Sequence, residues 1–92
     1  KVFENRIRLA IMSLLMVQDH LDFNALKSTL ALTDGNLASH IHKLEGMAYV
    51  MVEKKFVGRK PKTSYLATEK GKKAFRDHLD ALESIIKGGK SK

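Results

Sequence analysis

At 92 residues the chain holds one domain, so a multi-domain enzyme is excluded. Its residues are 43% hydrophobic and 29% charged, the composition of an ordinary folded globule, and the absence of cysteine excludes disulfides, thiolate metal sites and cysteine nucleophiles. Seventeen Lys and Arg against ten Asp and Glu leave a net charge of +7 and a pI near 9.8, a balance that points to a polyanionic partner, most often nucleic acid.

A run without Gly or Pro over residues 2–17 predicts the first helix. Ile7, Ala10, Ile11, Leu14 and Leu15 form one apolar stripe, and Val2, Leu9, Met12 and Met16 form a second on the opposite side. A chain this short buries only ~60–65% of its unfolded surface and is too small to cover both stripes, so a second subunit is expected over one of them. After a loop at Gln18-Asp19-His20, Phe23, Ala25, Leu26 and Leu30 suit a short second helix capped by Asp22 or Asn24. The third helix opens at Thr33-Asp34, with Thr33 as N-cap and Asp34 complementing the dipole, and Gly46 is its expected stop.

From Tyr49 to Val57 the period becomes two, which predicts a strand. Gly58-Arg59-Lys60-Pro61-Lys62 reads as a turn, and residues 63–67 as the returning strand. Thr68 caps a last helix with Phe75, Leu79, Leu82 and Ile86 on one face, and residues 88–92 read as a flexible tail. The fold class is therefore mainly α (α+β): three helices, a β-hairpin wing and a C-terminal dimerisation helix, in the order of a winged helix-turn-helix over residues 1–87.

Charge concentrates where that layout places contacts. Residues 1–34 are net neutral, residues 35–66 net +4 and residues 67–92 net +3. On the third helix, Leu37, Ile41 and Leu44 pin one face to the core, and Asn36, Ser39, His40 and Lys43 are expected on the other. Asn pairs with adenine edges, Lys with guanine or phosphate, and Ser and His with either, as a major groove requires. With Thr33 and Gly35 at the helix entrance, where the backbone can approach a phosphate, these six residues are the expected recognition contacts. The wing contacts expected are Arg59, Lys60, Pro61, Lys62 and Thr63. Three cations near a tip stiffened by Pro61, with no neighbouring acid in sequence, are suited to a minor groove and its flanking phosphates. The dimer seam is expected at Leu9, Met12 and Met16 of the first helix and Phe75, His78, Leu79, Leu82 and Ile86 of the last.

The four histidines match no metal-ligand spacing, and no phosphate loop, nucleophile elbow or paired-acid constellation occurs, so neither a metal, a cofactor nor an enzymatic activity is expected. No apolar run approaches the ~18 residues of a membrane span and no signal peptide opens the chain, so a cytoplasmic place without a membrane partner is expected.

The segment from Phe23 to Lys27 and on through Leu32-Thr33-Asp34-Gly35-Asn36-Leu37-Ala38-Ser39-His40-Ile41-His42-Lys43-Leu44-Glu45 resembles the helix-turn-helix of small MarR/ArsR-type regulators. Phe56-Val57-Gly58-Arg59-Lys60-Pro61-Lys62-Thr63 and the stretch from Tyr65 to Phe75 are similar to their wing and closing helix. The resemblance covers about residues 5–86 and is nearest to the stand-alone winged helix DNA-binding domains of bacterial and archaeal regulators. It implies a homodimer on a pseudo-palindromic duplex site, usually as a repressor. The cysteine or acid–histidine sets of metal-sensing members are absent, and the chain is too short for most of the ligand pocket of larger MarR proteins. A protein–protein adaptor and a binder of structured RNA remain as alternatives. The adaptor requires an exposed apolar patch in place of an uncompensated basic wing, and RNA binding is disfavoured by the lack of stacking aromatics expected near the wing.

Overall fold

The computed structural model describes residues 2–91, with side chains described through Lys87. Asn5 interrupts the helix expected over residues 2–17. Its backbone is extended and its Oδ1 accepts from the N–H groups of Ile7 (2.9 Å) and Arg8 (3.3 Å). Helix α1 accordingly spans Arg6–Val17, and Val2–Glu4 form a separate 3-10 turn. That turn drives Phe3 into the core, where its ring stacks on Tyr49 (centroids 5.5 Å apart) and meets Phe75 edge-on (5.9 Å) and His78 at a tilt (5.4 Å).

A two-residue strand, β1 (Leu21–Asp22), precedes α2 (Phe23–Leu30), which Asp22 caps by accepting from the Ala25 N–H at 2.7 Å. Helix α3 spans Asp34–Gly46. Both α2 and α3 end with crossed backbone hydrogen bonds, Leu32 N–H to Lys27 O and Ala31 N–H to Ser28 O in one, Tyr49 N–H to Leu44 O and Ala48 N–H to Glu45 O in the other. This is the Schellman arrangement, and it puts Ala31 (φ 54°) and Ala48 (φ 63°) in the left-handed region. Gly46, expected as the stop, is instead the last helical residue, and the reversal falls two positions later.

Strands β2 (Val50–Val57) and β3 (Lys60–Ala67) pair antiparallel from Val50 opposite Ala67 to Val57 opposite Lys60, and β1 adds Leu21 opposite Tyr65 and Asp22 opposite Ser64 on the far side of β3. The turn is therefore two residues, Gly58-Arg59, and Lys60, Pro61 and Lys62 belong to β3 rather than to a five-residue turn. Gly58 has φ 67°, positive at the first central position alone, the II′ pattern whose twist suits a tight hairpin. In such a hairpin the pair next to the closing one, Phe56–Pro61, exchanges no hydrogen bonds. The nitrogen of Pro61 thus faces away from β2, along an edge that β1 does not reach, and its missing N–H costs the sheet nothing.

Helix α4 spans Glu69–Ser91. Thr68 fastens its start: the hydroxyl donates to Ala48 O (2.6 Å) and accepts from Gly71 N–H (2.9 Å), while Thr68 N–H donates to Tyr49 O (3.0 Å). The helical backbone continues through residues 88–91, expected as tail, since two glycines tax a helix without forbidding it; Lys92 lies outside the described residues. Along its surface Glu69 pairs with Lys72, Lys73 with Asp77, and Glu83 with Lys87.

The core joins Ile11, Met12 and Leu15 of α1, Leu26 of α2, Leu37, Ile41 and Leu44 of α3, Val50 and Ala67 of the sheet, and Phe3 and Phe75. Two residues expected in a dimer seam, Met12 and Phe75, are thus buried inside a single chain. The second stripe of α1 does not wait for another subunit: the 3-10 turn and α4 lie against α1, leaving Val2, Leu9 and Met16 half-buried against the core. His78 is likewise half-buried, beside Phe3.

Candidate nucleic-acid interface

Helix α3 is anchored through Leu37, Ile41 and Leu44, so the helical period fixes what it shows to solvent. Thr33 is exposed, and its Oγ1 accepts from the Asn36 N–H at 3.2 Å, which orders the first turn. Beyond it, Asn36, Ser39 and Lys43 are all exposed, as expected, and apart from the neighbouring helix backbone nothing lies within 4 Å of where a side chain on Gly35 would begin. Asp34, an anion at the mouth of the helix, is offset by Lys27 Nζ of α2 at 2.7 Å.

His40 is placed differently from the expectation. It sits one step round the helix toward α1, half-buried, with its Nδ1 3.2 Å from Arg8 Nη1. A guanidinium only donates, so Nδ1 accepts and any proton of the neutral ring resides on Nε2. Burial, then the charges of Arg8 and Lys43, hold this histidine below its usual value of 6.5. Arg8 is itself fixed by a 2.7 Å hydrogen bond from Nε to Val2 O. His40 thus ties α3 to α1. The outward stripe instead runs Gly35, Ser39, His42 and Gly46, with Asn36 and Lys43 beside it. His42 was not among the expected contacts. The signal was present, because position 42 lies across the helix from the Leu37–Ile41–Leu44 stripe.

The wing extends the same chemistry. Residues 54–62 are exposed, with Arg59 in the turn and Thr63 half-buried where the hairpin rejoins the body. Register puts Lys60 and Lys62 on one face with Lys55, which lies directly opposite Lys62, and Lys54 on the other face opposite Thr63. Lys55 lies 3.3 Å from Glu53, which also takes His20 at 2.9 Å. Among the described residues no acid pairs with Arg59, Lys60 or Lys62. Cations held so close repel one another, and an anion placed against them relieves that repulsion.

A small hollow of about 200 Å³ between α1 and the α2–α3 turn is lined by Ile7, Ala10, Leu30, Leu32 and Arg6, without a nucleophile or an acid–base pair. Among the described residues no group of three or more His, Cys, Asp or Glu could hold a metal ion, and no helix is long and apolar enough to cross a membrane.

Two linked α2–α3 helices, a basic hairpin and a polar α3 face are thus assembled on one core, and the family profile of the winged helix DNA-binding domain matches residues 7–86. The chain belongs to the winged helix DNA-binding domain family. It is 38% identical over 87 residues, 95% of each chain, to an uncharacterized protein of Methanocaldococcus jannaschii. Among solved structures it is similar to a transcriptional regulator homologue from Pyrococcus horikoshii OT3, with 32% identity and a TM-score of 0.86 over 95% of this chain and 86% of that one. It shares the fold of Bacillus subtilis PadR in complex with operator DNA, at 20% identity and a TM-score of 0.69, over 82% of this chain and 47% of PadR. In winged helix terms α2–α3 form the helix-turn-helix and β2–β3 the wing; α3 presents exposed polar side chains, and the wing tip carries the cations without an acidic partner among the described residues.

The seam residues are divided by the structure. Leu79, Leu82 and Ile86 are exposed on α4, and Ile85, one residue before Ile86, joins them at 70% exposure. Leu9, Met16 and His78 pack against the core of their own chain.

Proposed function

We propose that this winged helix chain is a sequence-specific, double-stranded DNA-binding transcriptional regulator that works as a homodimeric repressor of the MarR/ArsR kind. Helix α3 enters the major groove, where Asn36, Ser39, His42 and Lys43 meet base edges and phosphates. The wing lies on the adjacent minor groove or backbone, with Arg59, Lys60 and Lys62 on phosphates and sugars. The chain acts in the cytoplasm, by binding rather than by catalysis. The observation that carries the reading is the set of unpaired cations at the wing beside an exposed polar α3 face, in a chain of this family.

Dimerisation rests on α4. Leu79, Leu82, Ile85 and Ile86 make an apolar face too exposed to belong to the single-chain core, and a two-fold pairing of that face is self-complementary. Two α3 helices related by such an axis would reach successive major grooves, about 34–36 Å apart. In vitro selection of bound duplexes tests the whole reading. It should return an inverted repeat with half-sites about 10 base pairs apart or a multiple of that. Selection that returns no enriched sequence, or a single unrepeated half-site, would count against sequence-specific binding by a dimer.

A further inference from the structure

We propose that Phe56 and Val57 form an apolar tip that packs against the sugar walls of a DNA minor groove and holds it open, so that the wing senses how easily the groove deforms. The inference rests on the DNA-binding reading and adds a specificity determinant to it. Of the four phenylalanines, Phe3 and Phe75 are in the core and Phe23 packs on Tyr65, whereas Phe56 is 75% exposed, so the wing carries an exposed aromatic where none was expected. Val57 beside it is 63% exposed. Successive residues of a strand face opposite ways, so the register sets Phe56 on one face of the ribbon, opposite Pro61, and Val57 on the other, opposite Lys60. Each face of the tip thus ends in an apolar side chain that the described residues leave mostly exposed.

The surrounding charge identifies the occupant. Lys54 shares the face of Phe56, Lys55, Lys60 and Lys62 share that of Val57, and Arg59 lies at the turn between them. An apolar protein groove would have to strip water from this ring of cations, at a cost that two side chains do not repay. A minor groove offers both complements at once: phosphates along its rims and C–H edges of deoxyribose on its walls. A B-form minor groove is about 6 Å wide, whereas two strands about 4.8 Å apart with side chains on both faces are wider. The tip therefore enters where the groove opens, which is cheapest at flexible pyrimidine–purine steps and most costly in stiff A-tracts.

The test compares the parent with Phe56→Ala and Phe56→Leu on duplexes that carry the selected α3 site and either a TA step or an A-tract under the wing, across a salt series. The parent should favour the TA duplex by about tenfold, the low end for fully burying a phenylalanine. Phe56→Ala should lose that preference and bind more weakly at every salt concentration with an unchanged salt slope, since it removes no phosphate contact. Phe56→Leu should retain part of the preference. Circular dichroism melting should match the parent in both variants, because the side chain is outside the core. If Phe56→Ala binds both duplexes as the parent does, the apolar tip is not in the groove, while the parent's salt slope leaves DNA binding intact. A variant that flattens the slope, or that changes only self-association in sedimentation, also overturns the proposal. A parent that shows no salt-dependent duplex binding overturns this inference and the functional reading together.

Discussion

Replacing Gly71 by Ala should cost this protein several times what the same change gains elsewhere in it. Gly71 is buried in the first turn of α4, and a Cβ built on it would overlap the carbonyl oxygen of Tyr49 and lie 2.8 Å from the carbonyl carbon. The obstacle is backbone, so no rotamer change relieves it. That backbone is held from both sides, since Tyr49 N–H donates to Leu44 O at 2.9 Å and Tyr49 O accepts from Thr68 N–H at 3.0 Å. Helix α4 must back away from the start of β2, loosening Phe75 and Phe3 behind it. Overpacking of this kind costs about 3 kcal/mol, out of the roughly 5–14 kcal/mol that holds a domain of this length. At ~4–8 °C per kcal/mol, the melting temperature should fall by roughly 12–24 °C. Gly46→Ala is the internal control: it lies in α3 with nothing within 4 Å of the new Cβ and an ordinary φ, so it should gain about 0.5–1 kcal/mol. Thermal and urea unfolding of the two variants decides the matter. If Gly71→Ala is as stable as Gly46→Ala, helix propensity alone governs both sites, and the close seating of α4 on Tyr49 is refuted.

Ile85→Lys on the exposed face of α4 should leave the protomer folded and abolish dimerisation, a monomer in sedimentation being the expected result, whereas Leu9→Lys should unfold the chain because Leu9 packs on the core. A parent that is monomeric at micromolar concentration would remove the α4 dimer from the account. On α3, Ser39→Ala and His42→Ala should each relax preference at one base position per half-site by about 1–3 kcal/mol, measured by repeating the selection; unchanged base preference in both variants would show that another surface reads the sequence. For His40, whose folded-state value lies below the unfolded 6.5, the unfolded chain takes up the proton first as pH falls. Stability is therefore full above pH 6.5 and declines below it, and His40→Gln should flatten part of that decline in melts between pH 7.5 and 5.5; identical pH profiles for parent and variant would contradict the Arg8–His40 contact.

What the sequence made legible was written in short-range chemistry. Thr33 and Asp22 cap α3 and α2 because a hydroxyl or carboxylate three residues ahead of a free N–H is a local fact, and the start of β2, with Val50 and Val52 more buried than Met51 between them, is local too. Long-range geometry was not legible. Strand β1 exists because Tyr65 and Ser64 meet Leu21 and Asp22 from positions 44 and 42 residues further along the chain, and two residues carry no period of their own. Met12 and Phe75 looked available for a partner because the elements that cover α1, the Phe3 turn and α4, come from the two ends of the sequence. Asn5 broke the first helix from within a Gly- and Pro-free run, and Ala31 and Ala48 took left-handed positions for which alanine gives no signal, while Gly46 gave one and remained helical. At the interface, the residue classes and the basic tip were readable, but the facing of α3 was misjudged by one step, which exchanged His40 for His42.

If the wing and α3 grip a DNA duplex, binding must weaken steeply as salt rises. Arg59, Lys60 and Lys62 have no acidic partner among the described residues, so each that meets a phosphate releases condensed counterion and contributes about 0.9 to the slope of log affinity against log salt. The measurement compares the parent with the Lys60→Ala/Lys62→Ala double variant on a selected and a random duplex between about 50 and 200 mM salt. The parent should show a steep slope on both duplexes, flattened by roughly 2 per subunit in the double variant, with both duplexes weakened alike. A parent whose binding ignores salt, or a double variant with the parent's slope, would contradict it.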